Sequence, residues 1–94
     1  MPDILDELQA IIADRKRNPK VGSYTNRLFD DGKNRMAQKV GEEAVEVIVA
    51  ALNQKREDQI NELCDLFFHT LVLMTELDIS LYDVFAELEK RHKK

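Results

Sequence analysis

The sequence predicts an all-α protein, a helical bundle whose core is completed by a second copy of the chain. Three observations carry this prediction. Only three glycines and two prolines interrupt 94 residues, so long helices are permitted. Apolar residues recur at helical spacing through four stretches, and none reads as a strand. The two central stretches are apolar almost all round, more than one short chain can cover, so a subunit interface is expected.

Ile4, Leu5, Leu8, Ile11 and Ile12 form the apolar stripe of a first helix from about Pro2 to Arg17. Pro2 suits a first helical turn. Asp3, Asp6 and Glu7 near its start, and Arg15, Lys16 and Arg17 near its end, complement the helix dipole. The stripe reads as packing. Asn18-Pro19-Lys20-Val21-Gly22 ends this helix. In Ser23-Tyr24-Thr25-Asn26-Arg27-Leu28-Phe29, Ser23 or Thr25 can cap a short helix, and Asp30-Asp31-Gly32 makes the next turn. The loop hydroxyls and Arg27 are candidates for contact with a phosphate or sugar. Composition alone favours capping and a surface arginine.

A long helix is predicted from about Lys33 to Leu52, with Met36, Ala37, Val40, Ala44, Val47, Ile48 and Ala51 as its core stripe. Val45, Val49 and Leu52 point elsewhere and add to the case for a subunit interface. Gly41 inside this helix costs on the order of 1 kcal/mol relative to alanine, and would permit close approach of a neighbouring helix or a ligand. Asn53-Gln-Lys-Arg-Glu-Asp58 is polar and reverses the chain. The next helix runs from about Glu57 to Leu77, with Ile60, Leu63, Cys64, Phe67, Leu71 and Met74 as its main stripe. Leu66, Phe68, Val72 and Leu73 extend the apolar character around it. Cys64 reads as a core residue, since no partner at nucleophile-activating spacing accompanies it. Asp78-Ile79-Ser80 breaks this helix, and Ser80 with Asp83 approximates a capping box for the last one. That helix carries Leu81, Val84, Phe85 and Leu88 on one face and ends in Lys90-Arg91-His92-Lys93-Lys94. The basic tail is ordinarily a solvated helix end, and can also bring positive charge to a partner subunit's substrate.

The chemistry resides in two carboxylate pairs. Glu43 with Glu46, and Glu62 with Asp65, each have i,i+3 spacing and so share a helix face. Folding the chain back at Gln54 sets Glu46 level with Glu62, Glu43 with Asp65, and Lys39 with His69. Four acids crowded between apolar helices repel, and a hard divalent cation with oxygen ligands removes the conflict. The spacing alone equally suits solvated helix acids; the matched heights and apolar surroundings favour a magnesium or manganese site. Glu42 projects away from the acid face. Lys39 and His69 can meet phosphate oxygens at the open end of the site, and an interior hydrogen-bonded histidine is an equal reading of His69. Two histidines make a zinc site a poor fit.

The totals bound the rest. Residues 1–94 read as one domain. A net charge of −4 argues against a general nucleic-acid binder, but leaves room for a small polyanion bound through metal. A single cysteine fits a reducing compartment, and no secretory signal or membrane-spanning run is visible, so a cytoplasmic location is expected.

Taken together, these residues resemble the phosphoribosyl-ATP pyrophosphohydrolases of histidine biosynthesis, within the all-helical MazG-like nucleotide pyrophosphohydrolases. The likeness runs from Ser23-Tyr24-Thr25 to Glu89-Lys-Arg-His92. Its strongest stretch is Ala37-Gln-Lys-Val-Gly-Glu-Glu-Ala-Val-Glu46, followed by Asp65-Leu-Phe-Phe-His69. The superfamily pattern EExxE…ExxD is met by Glu42, Glu43 and Glu46, then Glu62 and Asp65. Phe68 stands where the family often has tyrosine, and the segment before Ser23 is less characteristic. The resemblance implies magnesium-dependent hydrolysis of phosphoribosyl-ATP to phosphoribosyl-AMP and pyrophosphate by a homodimer built on a four-helix core. It further implies that Glu43, Glu46, Glu62 and Asp65 hold the metal and that Lys39 neutralises phosphate charge. Ser23, Tyr24 and Thr25 would lie near substrate, and Glu43 or Glu46 would activate water. Two other readings compete: a house-cleaning nucleoside triphosphate pyrophosphatase with the same acids, and a non-enzymatic helical interaction module.

Overall fold

A computed structural model describes residues 3–93. Five α-helices follow one another: α1 (Ile4–Arg17), α2 (Tyr24–Asp31), α3 (Lys33–Asn53), α4 (Arg56–Glu76) and α5 (Leu81–His92). No strand occurs among the described residues, so the chain is all-α as the patterning predicts. The expected start at Pro2 and the last tail residue, Lys94, lie outside the described residues. Among them, no helix is long and apolar enough to cross a membrane.

The caps explain most boundaries. The Asp3 carboxylate accepts from the Leu5 amide at 3.0 Å, and the Ser23 hydroxyl from the Asn26 amide at 3.3 Å. Ser23, not Thr25, is thus the cap of α2. Asp30 and Asp31 complete α2 instead of turning, and Gly32 alone, at φ +95°, makes the corner into α3. The capping box at α5 forms as expected. The Ser80 hydroxyl accepts from the Asp83 amide at 3.1 Å, and the Asp83 carboxylate from the Ser80 amide at 2.9 Å.

Helices α3 and α4 form an antiparallel hairpin that turns at Gln54 and Lys55. The Gln59 amide locks the turn by donating to the carbonyls of Ala50 at 3.1 Å and Gln54 at 3.2 Å. Helices α1 and α2 pack over the end of the hairpin away from this turn. The core there joins Ile12, Leu28, Met36, Leu71, Val72 and Leu81, one or two side chains from every helix. Gln9 ties α1 to the α5 entry by donating to the Ile79 carbonyl at 3.2 Å and accepting from the Leu81 amide at 2.9 Å.

The stripes differ from expectation, mostly toward the turn. On α3, Ala37, Ile48 and Ala51 are exposed, while Ala50 is fully buried. On α4, Ile60, Leu63, Cys64 and Phe67 are exposed, and Val72 is buried. Cys64 is therefore not a core residue of the single chain. Each hairpin helix buries only the face it turns to its neighbours, and near the turn neither α1 nor α2 supplies a second layer. Gly41 meets nothing: a Cβ built on it would have open space, so no close approach within the chain explains it.

Candidate active site

Helices α3 and α4 bring three acids together. Glu43 from α3, and Glu62 and Asp65 one turn apart on α4, each offer a carboxylate oxygen within 4.8 Å of the others. The matched heights of Glu43 and Asp65 are thus realised. Glu46 stands outside this cluster, with its side chain exposed, yet its charge still reaches Glu62. Desolvation, then the negative charges of Asp65, Glu46 and Glu43, push the Glu62 carboxyl above the usual carboxylate range. These are hard oxygen donors under mutual repulsion, the donor set that suits a magnesium-like ion. Neither His69 nor Cys64 joins it.

Lys39 supplies the counter-charge. Its ammonium lies 3.3 Å from Glu43 and 3.5 Å from Glu42. Burial works against that charge, but the bond to Glu43 and the neighbouring Tyr24, Glu43 and Glu42 outweigh it, so the Lys39 pKa is raised. The other Glu42 oxygen pairs with Arg35 at 3.3 Å, which holds Glu42 away from the cluster as expected.

The start of α2 closes one side. Ser23 is half-buried in its capping role, Thr25 is half-buried beside it, and Tyr24 is partly exposed. The Tyr24 hydroxyl lies 2.8 Å from His69 Nε2, and His69 Nδ1 lies 2.7 Å from the Asp65 carbonyl. His69 is buried with both ring nitrogens engaged, which is the interior reading of that residue. The Tyr24 ring stacks on Phe68 at 6.2 Å between centroids, and the Arg27 guanidinium lies over the Tyr24 ring, 5.4 Å from its centroid.

Asn26 went unremarked in the sequence and anchors this whole side. Its side-chain oxygen accepts from the Lys20 amide at 2.8 Å, and its amide donates to the Arg15 carbonyl at 2.7 Å. The loop between α1 and α2 is thereby pinned to the end of α1, and Ser23 and Tyr24 are placed with it. A buried asparagine has no periodicity to betray it; its position three residues after the Ser23 cap was the only hint.

A family model described as phosphoribosyl-ATP pyrophosphohydrolase matches residues 5–92. The chain belongs to this family. A phosphoribosyl-ATP pyrophosphatase of Clostridium acetobutylicum is 50% identical over 92 residues, covering 98% of this chain and 84% of that protein. The protein of the same name from Methanocella arvoryzae is 45% identical over 95 residues, covering 99% and 100%. A histidine biosynthesis bifunctional protein, HisIE, of Caldanaerobacter subterraneus subsp. tengcongensis is 46% identical over 92 residues, which make up 45% of its length. A pyrophosphohydrolase-family segment of this size therefore occurs both by itself and within a longer chain.

Proposed function

We propose that this protein hydrolyses phosphoribosyl-ATP to phosphoribosyl-AMP and pyrophosphate in histidine biosynthesis, using magnesium, with manganese as a substitute. The observation that carries the proposal is the convergence of Glu43, Glu62 and Asp65 in a chain matched to the family over residues 5–92. Residues 1–94 act as one catalytic domain in the cytoplasm.

Glu43, Glu62 and Asp65 would hold the metal, and Glu46 completes the acid face. The ion, when bound, withdraws charge from the phosphate oxygens and eases departure of pyrophosphate. Lys39, now paired with Glu43 and Glu42, would be placed to take a phosphate oxygen in their stead. Glu46, outside the three-acid cluster, is free to orient and deprotonate the attacking water, with Glu43 as the second candidate. Ser23, Tyr24 and Thr25 border the substrate. His69 stands one residue behind that border.

The protein works as a homodimer. The apolar face of Ile48, Val49, Leu52, Ile60, Leu63 and Phe67 is what a second copy's hairpin would cover, making a four-helix core.

Pyrophosphate release with magnesium, compared across phosphoribosyl-ATP, ATP and deoxynucleoside triphosphates, tests the function. Release from phosphoribosyl-ATP alone is expected. Preference for a free triphosphate would move the protein to a house-cleaning role, and silence from folded protein would leave only an interaction module. Glu46→Gln should keep its fold and lose most turnover; near-normal turnover would remove Glu46 from the site.

A further inference from the structure

The Tyr24 hydroxyl has its hydrogen bonding fixed from behind. The Asp65 carbonyl can only accept, so the 2.7 Å contact requires the His69 proton on Nδ1. In the neutral ring Nε2 is then an acceptor, and the Tyr24 hydroxyl 2.8 Å away must donate to it. A phenol has one proton. With that proton committed, the oxygen presents only lone pairs to its free side.

The ring of His69 is held in place for this. It is 7% exposed and meets Phe68 edge-on at 5.2 Å and Tyr24 edge-on at 5.7 Å. Tyr24 itself is 41% exposed. Asp65 joins the two systems: its carboxylate belongs to the acid cluster and its carbonyl orients the imidazole.

We propose that His69 is a positioning residue that holds Tyr24 as a pure hydrogen-bond acceptor beside the acid cluster, where Tyr24 accepts from a sugar hydroxyl of the substrate. A phosphate oxygen approaching the same spot would meet lone pairs without a proton. The sugar is favoured over the base because sugar hydroxyls adjoin the phosphates, which must sit by the acids and Lys39. This inference rests on the nucleotide-hydrolysing function proposed above.

The test uses the full chain with magnesium and phosphoribosyl-ATP. One neutral hydrogen bond predicts that Tyr24→Phe raises KM roughly three- to tenfold, with a smaller change in kcat. His69→Asn keeps a donor near the Nδ1 position but does not reach Tyr24, so it should raise KM to the same degree. The double variant should be no worse than either single one. His69→Gln extends an amide oxygen toward the Nε2 position and should recover much of the His69→Asn loss. Inhibition by phosphoribosyl-AMP should weaken in Tyr24→Phe, while inhibition by pyrophosphate, which has no sugar, should not. Equal weakening toward pyrophosphate would place Tyr24 on phosphate and overturn the proposal. A wild-type KM in Tyr24→Phe would do the same, as would additive losses in the double variant. Melting curves separate either result from a folding defect, with His69→Gln as the milder variant. Absence of wild-type turnover, by contrast, would be a failure of the proposed function.

Discussion

The two halves of the α3–α4 hairpin are built from equally apolar sequence and end in different states. Away from the turn, Met36, Leu71 and Val72 are sealed beneath Ile12 of α1 and Leu28 of α2. Toward the turn, Ile48, Leu52, Ile60 and Leu63 stand exposed, Leu52 at 76%. The acids Glu43, Glu62 and Asp65 sit where the covered half gives way to the bare one. A site at such a border has one covered wall and one exposed wall. The covered wall carries Tyr24, His69 and Lys39. The exposed wall is where, in the proposed homodimer, a second subunit would bring its own groups.

The largest effect expected from breaking this contrast is at the border itself. Asp65→Asn keeps the shape and removes one carboxylate charge from the acids that would hold the metal, and should lower kcat/KM by about a thousandfold, equivalent to about 4 kcal/mol. The carbonyl of Asp65 is untouched by the change, so the fold and the His69 and Tyr24 arrangement should persist. Steady-state kinetics alongside a thermal melt checks both. Wild-type kinetics in the variant would show that the acids are ordinary surface charges.

Next in size is the difference between the halves. Met36→Ala opens a cavity in the covered half and should cost about 3 kcal/mol in a denaturant melt. Leu52→Ala in the bare half should cost within about 0.5 kcal/mol while the protein is dilute and monomeric. If a second copy covers that face, the Leu52→Ala cost must grow with protein concentration. Equal, concentration-independent costs at both positions would mean the two halves do not differ as described.

Much of this contrast was legible in the sequence, and the missing parts share a cause. The hairpin, its reversal at Gln54 and the Ser80–Asp83 box follow from local rules of spacing and capping. The meeting of Glu43 with Asp65 follows from equal rise along two helices. What periodicity did not convey is which face of an all-round apolar helix gets covered. Ile60, Leu63, Cys64 and Phe67 make as good a stripe as the residues actually buried, because a helix apolar around most of its girth has only a weak phase. Long-range polar ties were equally silent: Gln9 bonding the α5 entry, and Asn26 joining Arg15 to Lys20, leave no repeating pattern. Glu46 shows the limit of register arguments. Its charge reaches Glu62, but the expected register does not bring its oxygens into the cluster.

The smallest expected effect concerns Glu62, and its sign is the informative part. Without metal, the native protein holds the Glu62 proton to a higher pH than the unfolded chain does, because desolvation and then Asp65, Glu46 and Glu43 disfavour its charge. Between the unfolded and native pKa values the native state therefore binds more protons, and stability must fall as pH rises through that window. Below the window the favourable difference is fully present; at neutral pH it is gone. Glu62→Gln removes the titration, so the metal-free variant should lose this downward slope and melt slightly higher than wild type at pH 7. Solvent screening keeps the gain small. Magnesium should reverse the order. It binds the native acids only, so it raises the wild-type melting temperature, and the variant, short one ligand, should gain less. Melts across the acid-to-neutral range, with chelator and with magnesium, read both signs. Parallel pH slopes in the two proteins would mean that the acids do not repel strongly enough to need a cation, leaving the border between the two halves without its electrostatic reason.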